Sequence, residues 1–239
     1  MGKVIAIVSG KGGTGKTFFT SNLGTSLAMR GNRVVMVDMD FGMRNLDLYM
    51  GLENNVVYNV MDILSGVCGV KRALIADKRT PELYLISSAL CGDTRDLTKL
   101  HMKVLCDILR DHFDYVIIDA PAGVGEYFEV AVAGIDTAIV ITEAEMASIR
   151  DAQVVQSRLH SVGVHDMYCV VNKINKELAK VGIVPTIKEI KEKLNLPIAG
   201  AIQYDTNVSI STNSGNPIVY KTDEYIHKNF NNIIDRMSL

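Results

Sequence analysis

Cysteine is scarce in this chain, and so are histidine and proline: the 239 residues include four, five and five of them. The four cysteines are Cys68, Cys91, Cys106 and Cys169, and no two of them form a Cys-x-x-Cys pair. No histidine has metal-ligand spacing to a second histidine or to a cysteine. The pattern argues against a disulfide framework and against a structural zinc site, and it indicates ordinary thiols in a reducing compartment.

An excess of positive charge is also lacking, because 25 lysines and arginines face 27 acidic residues for a formal net charge of −2. Without a global positive field, nucleic-acid binding has no support from charge. Long hydrophobic runs are absent too: residues 4–8 form an apolar run far too short for a membrane span, and the N-terminus has no signal-peptide pattern. We therefore expect a soluble cytoplasmic protein.

Seven short apolar segments rich in valine and isoleucine lie along the chain, separated by longer helical patterns. Because they are almost continuously apolar, they are typical of strands covered on both faces. The candidate strands are KVIAIVS, RVVMVD, ELYLISS, YVIIDA, TAIVIT, MYCVVN and PIAGAI. We predict an α/β fold with a doubly wound, mainly parallel sheet and helices on both faces. No linker rich in proline, glycine or serine interrupts it, so we predict one domain over residues 1–239.

Five helices are predicted, over residues 16–30, 97–112, 145–162, 186–194 and 222–237. The predicted buried face of the second helix consists of Leu100, Val104, Leu105, Ile108 and Leu109. The last helix carries an apolar stripe of Ile226, Phe230, Ile233, Ile234 and Met237. Acidic residues in this segment offset its basic residues, so it lacks the cationic face that anionic lipids attract. We expect the last helix to pack on the domain.

The segment GKGGTGKT, residues 10–17, matches the phosphate-binding pattern G-x-x-x-x-G-K-[ST] between a predicted strand and a predicted helix. Its glycines let backbone N–H groups approach phosphate oxygens, and the helix directs its positive dipole end at them. Lys16 would place a charge on the β- and γ-phosphates, and Thr17 would offer a hydroxyl to Mg²⁺. The alternative is a glycine-rich turn that only connects two elements. The candidate nucleotide contacts here are Gly10, Lys11, Gly12, Gly13, Thr14, Gly15, Lys16, Thr17 and Phe18.

Carboxylates follow two of the predicted strands. Asp38 and Asp40 lie at the carboxyl end of VVMVD, where ligands bind in open α/β sheets. One of them can hold a metal-bound water while the other orients the attacking water, unless they cap the next segment. Asp119 ends YVIID and is placed to bind Mg²⁺ through water, unless it caps a turn. The candidate metal-site residues are therefore Thr17, Asp38, Asp40 and Asp119.

A polar amide ends a third strand. Asn172 closes the segment CVVN, and its side chain offers one acceptor oxygen and two donors, which suits the edge of a purine. A strand-end asparagine in a turn conformation is an equal alternative on this evidence alone.

The phosphate loop contains one lysine, Lys11, that the general pattern does not require. With it, KGGTGKT resembles the deviant Walker A motif of the MinD/ParA ATPases, as do RNLDL, DAPAG, VNK and AIQYDTNVSISTNSGNPIV elsewhere. The resemblance covers nearly the whole chain. It implies a P-loop ATPase in which Lys11 crosses a dimer interface to contact the partner's nucleotide, Asp40 positions the hydrolytic water and Asn172 binds adenine. It places Asn45 near the nucleotide and the interface.

For function, the resemblance implies an ATP-dependent dimerisation switch that hydrolyses ATP to ADP with Mg²⁺, slowly without a stimulating partner, in septum-site placement during cell division. The implied catalytic residues are Lys11, Lys16 and Asp40. The implied partners are a second copy of the chain and regulators like MinC and MinE, and the inner face of the cell membrane is an implied location. Alternatives are positioning of another cargo, such as flagella or chemosensory arrays, ParA-type DNA segregation, or a non-hydrolysing nucleotide-binding scaffold.

Three features depart from the family pattern. The chain stops at YIHKNFNNIIDRMSL, without a further basic amphipathic helix, so the sequence itself does not support membrane cycling. Gly125 stands where an acidic residue is common after DAPAG, and Ala144 replaces a proline in TEAE. The last two lie in segments near the switch and partner-binding surface, where partner choice and stimulated turnover can differ.

Overall fold

A single sheet of eight strands organises the part of the chain that the computed structural model describes, residues 1–90 and 97–239. The strands are β1 (Lys3–Val8), β2 (Val34–Asp38), β3 (Ile75–Ala76), β4 (Leu83–Ile86), β5 (Tyr115–Asp119), β6 (Thr137–Glu143), β7 (Met167–Ile174) and β8 (Ile198–Gln203). Their order is β3-β4-β2-β5-β1-β6-β7-β8. All neighbours are parallel except β3 and β4, which are antiparallel.

Helices cover both faces of this sheet. In the described residues they are α1 (Lys16–Met29), α2 (Leu46–Met50), α3 (Val60–Leu64), α4 (Val70–Ala73), α5 (Lys99–Arg110), α6 (Phe128–Ala131), α7 (Met146–Ser161), α8 (Lys176–Lys180), α9 (Ile187–Leu194), α10 (Thr206–Asn213) and α11 (Tyr225–Arg236), with 3₁₀ turns at Glu53–Asn55 and Ile218–Tyr220. The predicted doubly wound, mainly parallel α/β fold is confirmed, because the connections between parallel strands contain helices and these cover both faces of the sheet.

The central strand β1 shows how the two layers arise. Val4, Ala6 and Val8 belong to the core on one face, whereas Ile5 and Ile7 belong to the core on the other. All five are fully buried, as expected for alternate side chains of a strand that is covered on both sides. Each large side chain buried in this way contributes roughly 1.5–3 kcal/mol to folding. The sheet is thereby fixed as the rigid base for the loops at its carboxyl edge.

The last helix, α11, packs against the first, as its apolar stripe predicted. The ring of Phe230 lies 5.2 Å from that of Phe19 and 6.0 Å from that of Phe18, measured between centroids. On the sheet side, Ile233 lies so close to Gly200 in β8 that a Cβ there would stand 2.4 Å from its Cγ1. All five residues of the predicted stripe are buried. The helix is therefore a structural cover of the domain.

Two predictions about helices and strands were wrong in part. In α5, Leu105 and Leu109 are buried as expected, but the other core residues are Met102 and Cys106. The remaining members of the predicted face, Leu100, Val104 and Ile108, are 67%, 49% and 43% exposed. The strand β3 and the short helices α2, α3, α4, α6, α8 and α10 were not predicted.

Cys68, Cys106 and Cys169 are buried and free, and Cys91 lies outside the described residues. Over residues 1–90 and 97–239, no helix combines the length and the hydropathy needed to cross a bilayer.

Candidate functional site

A cavity of about 580 Å³ opens at the carboxyl edge of the sheet. It brings together segments that the sequence placed apart: the phosphate loop, the loop after β2, the end of β7 and the segment from β8 into α10. Of the candidate residues, those that line it are Gly12, Gly13, Gly15, Lys16, Thr17, Phe18, Asp40 and Asn172, together with Asn45. The other candidates are not among the lining residues: Gly10, Lys11, Thr14, Asp38 and Asp119.

The phosphate loop runs from the end of β1 to the first residue of α1. At two of its positions the backbone has a positive φ, a conformation that favours glycine. Gly13 has a φ of 79° and Gly15 a φ of 97°. No described side chain caps the N-terminus of α1. The first N–H groups of a helix lack intrahelical partners, and Gly15, Lys16, Thr17 and Phe18 all line the cavity, so with the helix dipole this end suits an anion.

Close packing fixes this loop from behind. A Cβ on Gly10 would lie 2.4 Å from the Cβ of Asp151 in α7, and one on Gly15 would lie 2.3 Å from Nδ2 of Asn172. The Asn172 amide donates to the carbonyl oxygen of Thr14 at 2.8 Å, so its observed contact holds the loop. Its role towards a purine stays a prediction.

Lys16 and Asp40 both line the cavity. Lys16 is only 7% exposed. Partial burial raises the pKa of Asp40, and the charge of Lys16 opposes this rise. Asp40 belongs to a loop that Asp38 holds in place, because Asp38 Oδ1 accepts the N–H of Asp40 at 2.9 Å and Oδ2 accepts the N–H of Leu46 at 3.2 Å. Asp38 thus caps the following segment, as its alternative assignment stated, and its metal role stays a prediction.

Asp119 lies beside Asp38 in the register of β5 and β2. Burial raises the pKa of both carboxyls: to about 8 for Asp38, where the charge of Asp119 adds to the effect, and to about 6 for Asp119, where Lys16 opposes it. Thr20 donates to Asp119 Oδ1 at 3.1 Å, whereas Oδ2 is buried with no hydrogen-bond partner among the described residues. The Thr17 hydroxyl lies close enough to the Asp119 carboxyl to oppose the rise of its pKa. A buried, incompletely paired carboxylate next to a threonine hydroxyl offers oxygen ligands that suit Mg²⁺.

Lys11 is not among the residues that line the cavity, and its ammonium is held by two carboxylates of its own chain. Its Nζ lies 3.3 Å from Glu145 Oε2 and 3.6 Å from Glu143 Oε2, at the end of β6 and the start of α7. Burial lowers the pKa of Lys11, but the hydrogen bond to Glu145 and the charge of Glu143 outweigh this and raise it overall. The side chain is 35% exposed.

The chain matches the CobQ/CobB/MinD/ParA nucleotide binding domain over residues 5–218. A relative from Synechocystis sp., named septum site-determining protein MinD, is 40% identical over 92% of this chain and 82% of its own length. The chain belongs to the MinD/ParA family. MinD in the MinC:MinD complex of Aquifex aeolicus has a TM-score of 0.91 at 34% identity, over 99% and 96% of the two chains. MinD of Pyrococcus horikoshii, solved with Mg-ADP, has a TM-score of 0.88 at 26% identity, over 98% and 94%.

In this member of the MinD/ParA family, several residues of the site make contacts that were not predicted from the sequence. The Lys173 ammonium pairs with Glu143 Oε1 at 3.1 Å and also contacts the carbonyl of Gly13. Tyr49 of α2 and Val208 of α10 line the cavity. Asn172 was predicted to end its strand, but β7 continues to Ile174. Lys173 belongs to the motif VNK and Val208 to the segment AIQYDTNVSISTNSGNPIV, although neither residue was assigned a role, and nothing local marked Tyr49.

Two histidines also meet, contrary to their sequence spacing. The Nδ1 atoms of His160 and His165 lie 3.1 Å apart, between the end of α7 and the start of β7. This is the edge of the sheet opposite the cavity. Because no group of three or more His, Cys, Asp or Glu side chains suited to a metal occurs within the described residues, the pair lacks the further ligands of a structural site.

Proposed function

We propose that this chain is an ATP-dependent dimerisation switch that binds and hydrolyses Mg²⁺-ATP and acts in placing the division septum. The names of its relatives support this assignment, since they are septum site-determining proteins, and the solved MinC:MinD complex suggests a MinC-like partner. A second copy of the chain and a MinE-like regulator complete the proposed partners. One domain over residues 1–239, in the cytoplasm and at the inner face of the membrane, belongs to the same proposal.

The different surroundings of two lysines carry the proposal. Lys16 lines the cavity of its own chain, whereas Lys11 is not among the lining residues and its ammonium pairs with the carboxylates of Glu143 and Glu145. A lysine that leaves its own phosphate site can serve a second subunit placed face to face. ATP then joins two subunits, because each nucleotide is bound by residues of both.

The residues of the cavity support in-line hydrolysis. Backbone N–H groups of the phosphate loop and the Lys16 ammonium hold the β- and γ-phosphates. The Asp40 carboxylate orients a water towards the γ-phosphorus. Mg²⁺ between Thr17 and Asp119 would neutralise phosphate charge. Loss of the γ-phosphate removes a group that both subunits hold, so the dimer separates. Turnover is slow alone, since the site is complete only in the dimer.

The test compares oligomeric states by size-exclusion chromatography with light scattering. The Asp40→Ala variant, in which hydrolysis is blocked, should be a 26.2 kDa monomer in ADP and a dimer in ATP with Mg²⁺. Adding Lys11→Ala should abolish the dimer and leave ATP bound. A monomer in ATP would instead favour the nucleotide-binding scaffold, and steeply salt-dependent binding to duplex DNA would favour a segregation ATPase.

A further inference from the structure

The segment between β3 and β4 contains an arginine with an unusual number of partners. Arg79 pairs with the buried Asp77 through two bonds, from Nε to Oδ1 at 3.0 Å and from Nη2 to Oδ2 at 2.7 Å. Asp77 is 4% exposed. This paired geometry fixes the plane of the guanidinium, so its remaining N–H groups have defined directions.

Those remaining groups reach two other parts of the chain. Nη2 donates to the carbonyl of Met50, the last residue of α2, at 2.5 Å. Nη1 donates to the carbonyl of Gly215 at 2.9 Å and to Asn216 Oδ1 at 3.2 Å, directly after α10. One side chain therefore joins α2 to the end of α10, although these segments are far apart in sequence.

The two helices that Arg79 joins are walls of the nucleotide cavity. Tyr49 of α2 and Val208, Ser209 and Thr212 of α10 line it. Their backbones meet behind the cavity at two glycines in left-handed conformation, since a Cβ on Gly215 would lie 2.6 Å from the Cα of Gly51. The separation of the walls is set at this contact, and Arg79 bonds to the backbone on both sides of it.

We propose that Arg79 is a positioning residue for the nucleoside part of a nucleoside triphosphate. This inference rests on the proposed function. Because the phosphate loop binds the phosphates, the base and ribose occupy the part of the cavity between α2 and α10. Arg79 holds that part open at one width before the ligand arrives, which lowers the ordering cost of binding. It touches no ligand itself and acts through Met50 and Gly215.

The chemistry requires arginine at this position. A lysine could keep the charge beside Asp77, but its single ammonium group lacks the planar fork that reaches Met50 and Gly215 together. The guanidinium also lies over the ring of Tyr220, with Cζ 5.3 Å from its centroid, and the Tyr220 hydroxyl is 2.6 Å from that of Thr80. The conservative variant thus separates charge from geometry.

The experiment measures dissociation constants for Mg²⁺-ATP and for inorganic tripolyphosphate with Mg²⁺, by calorimetry. Tripolyphosphate occupies the phosphate loop but has no nucleoside. Arg79→Lys and Arg79→Met should bind ATP roughly tenfold more weakly, since the walls lose their preorganisation, with tripolyphosphate affinity unchanged. Arg72→Met is the matched control, because Arg72 also stacks on a tyrosine ring. Its guanidinium lies over Tyr58 and donates to the Tyr58 hydroxyl at 2.6 Å.

Each outcome decides the inference. Selective loss of ATP affinity in Arg79→Lys, with thermal unfolding near that of the wild type, supports it. An equal loss of affinity for ATP and for tripolyphosphate would mean that Arg79 acts on the whole fold. An unchanged ATP affinity would mean that Arg79 does not set the width of the nucleoside part of the cavity. Either result overturns the inference while the proposed function stands. If the wild type binds neither ligand, the proposed function itself falls, and the inference with it.

Discussion

Replacing Glu145 by glutamine removes a charge next to Lys11 without changing the size of the side chain. In the single subunit the Lys11 ammonium lies 3.3 Å from Glu145 Oε2, and the proposed dimer requires it to leave. We therefore expect Glu145→Gln to strengthen the ATP-dependent dimer, because less electrostatic attraction holds Lys11 in its own subunit.

The size of the expected change in the dimer dissociation constant depends on how exposed Lys11 and Glu145 are. The two side chains are 35% and 59% exposed, so solvent screens the pair, and such pairs contribute about 0.2–1 kcal/mol each. Dimer formation separates one pair in each subunit, which doubles the gain to about 0.4–2 kcal/mol, or a dimer dissociation constant roughly 2- to 30-fold lower. Glu143 remains at 3.6 Å and keeps part of the attraction.

Analytical ultracentrifugation of Asp40→Ala with and without Glu145→Gln, in ATP and Mg²⁺, measures the dissociation constant directly. Raising the salt concentration should reduce the difference between the two proteins, since the contact is exposed. Glu177→Gln is the control, because Glu177 forms a surface pair with Lys180 at 3.1 Å. If Glu145→Gln left the dimer unchanged or weakened it, the contact would not restrain Lys11, and the reasoning would be refuted.

Three further changes test the site and the fold. Asp119→Asn removes a buried carboxylate with an unpaired oxygen. It should therefore raise the free energy of unfolding of the nucleotide-free protein by roughly 1–3 kcal/mol, measured by urea denaturation at pH 8. It should also abolish the Mg²⁺ dependence of ATP binding. Gly15→Ala should weaken ATP binding, measured by calorimetry, by more than about tenfold, because its φ is 97° and its Cβ would meet Asn172 at 2.3 Å. Phe230→Ala should lower the free energy of unfolding by about 3–5 kcal/mol, because it leaves a cavity between α11 and α1. The measurement is a fall of about 10 °C in the thermal midpoint.

A specific result would contradict the expectation for each of Asp119→Asn, Gly15→Ala and Phe230→Ala. The folded-state pKa of Asp119 lies above its ordinary value, so the folded protein binds its proton more tightly and stability falls as the pH rises towards about 6. Asp119→Asn should remove that part of the pH dependence, and an unchanged slope would contradict the assignment. Gly31→Ala shares the left-handed backbone, with a φ of 88°, but nothing lies within 4 Å of the added Cβ. Equal loss of ATP binding in both glycine variants would exclude the contact with Asn172 as the cause. A thermal shift below about 2 °C in Phe230→Ala would show that α11 is dispensable.

Local patterns predicted the sheet and the position of the glycine-rich loop between β1 and α1 well, because each rests on neighbouring residues. The long strands are continuous apolar runs, and the motifs around Lys16 and Asp40 are contiguous with strand ends. In α5 the same kind of pattern misled, because the helix has two apolar stripes. Periodicity cannot decide whether Val104 or Cys106 faces the core, and the neighbouring elements decide for Cys106. The two-residue strand β3 is too short to show any period.

Contacts between remote residues were beyond local patterns altogether. Lys11 and Glu145 are 134 residues apart, and Arg79 and Gly215 are 136 apart. Before the fold is known, a lone glutamate after a strand and an arginine in a polar turn resemble any solvated surface residue. The sequence motifs therefore marked residues of the phosphate loop and some of those that hold it, such as Asn172, but missed the contacts of Glu145 and Arg79.

The packing of α11 on α1 has a consequence for biosynthesis. Arg30, at the end of α1, bonds to Asn231 and Asp235 at 2.9 Å and 2.8 Å, and Phe230 covers Phe18 directly after the phosphate loop. A ribosome makes the phosphate loop long before it makes α11, which begins only at Tyr225. Until α11 has been made, the nascent chain therefore carries α1 without this cover.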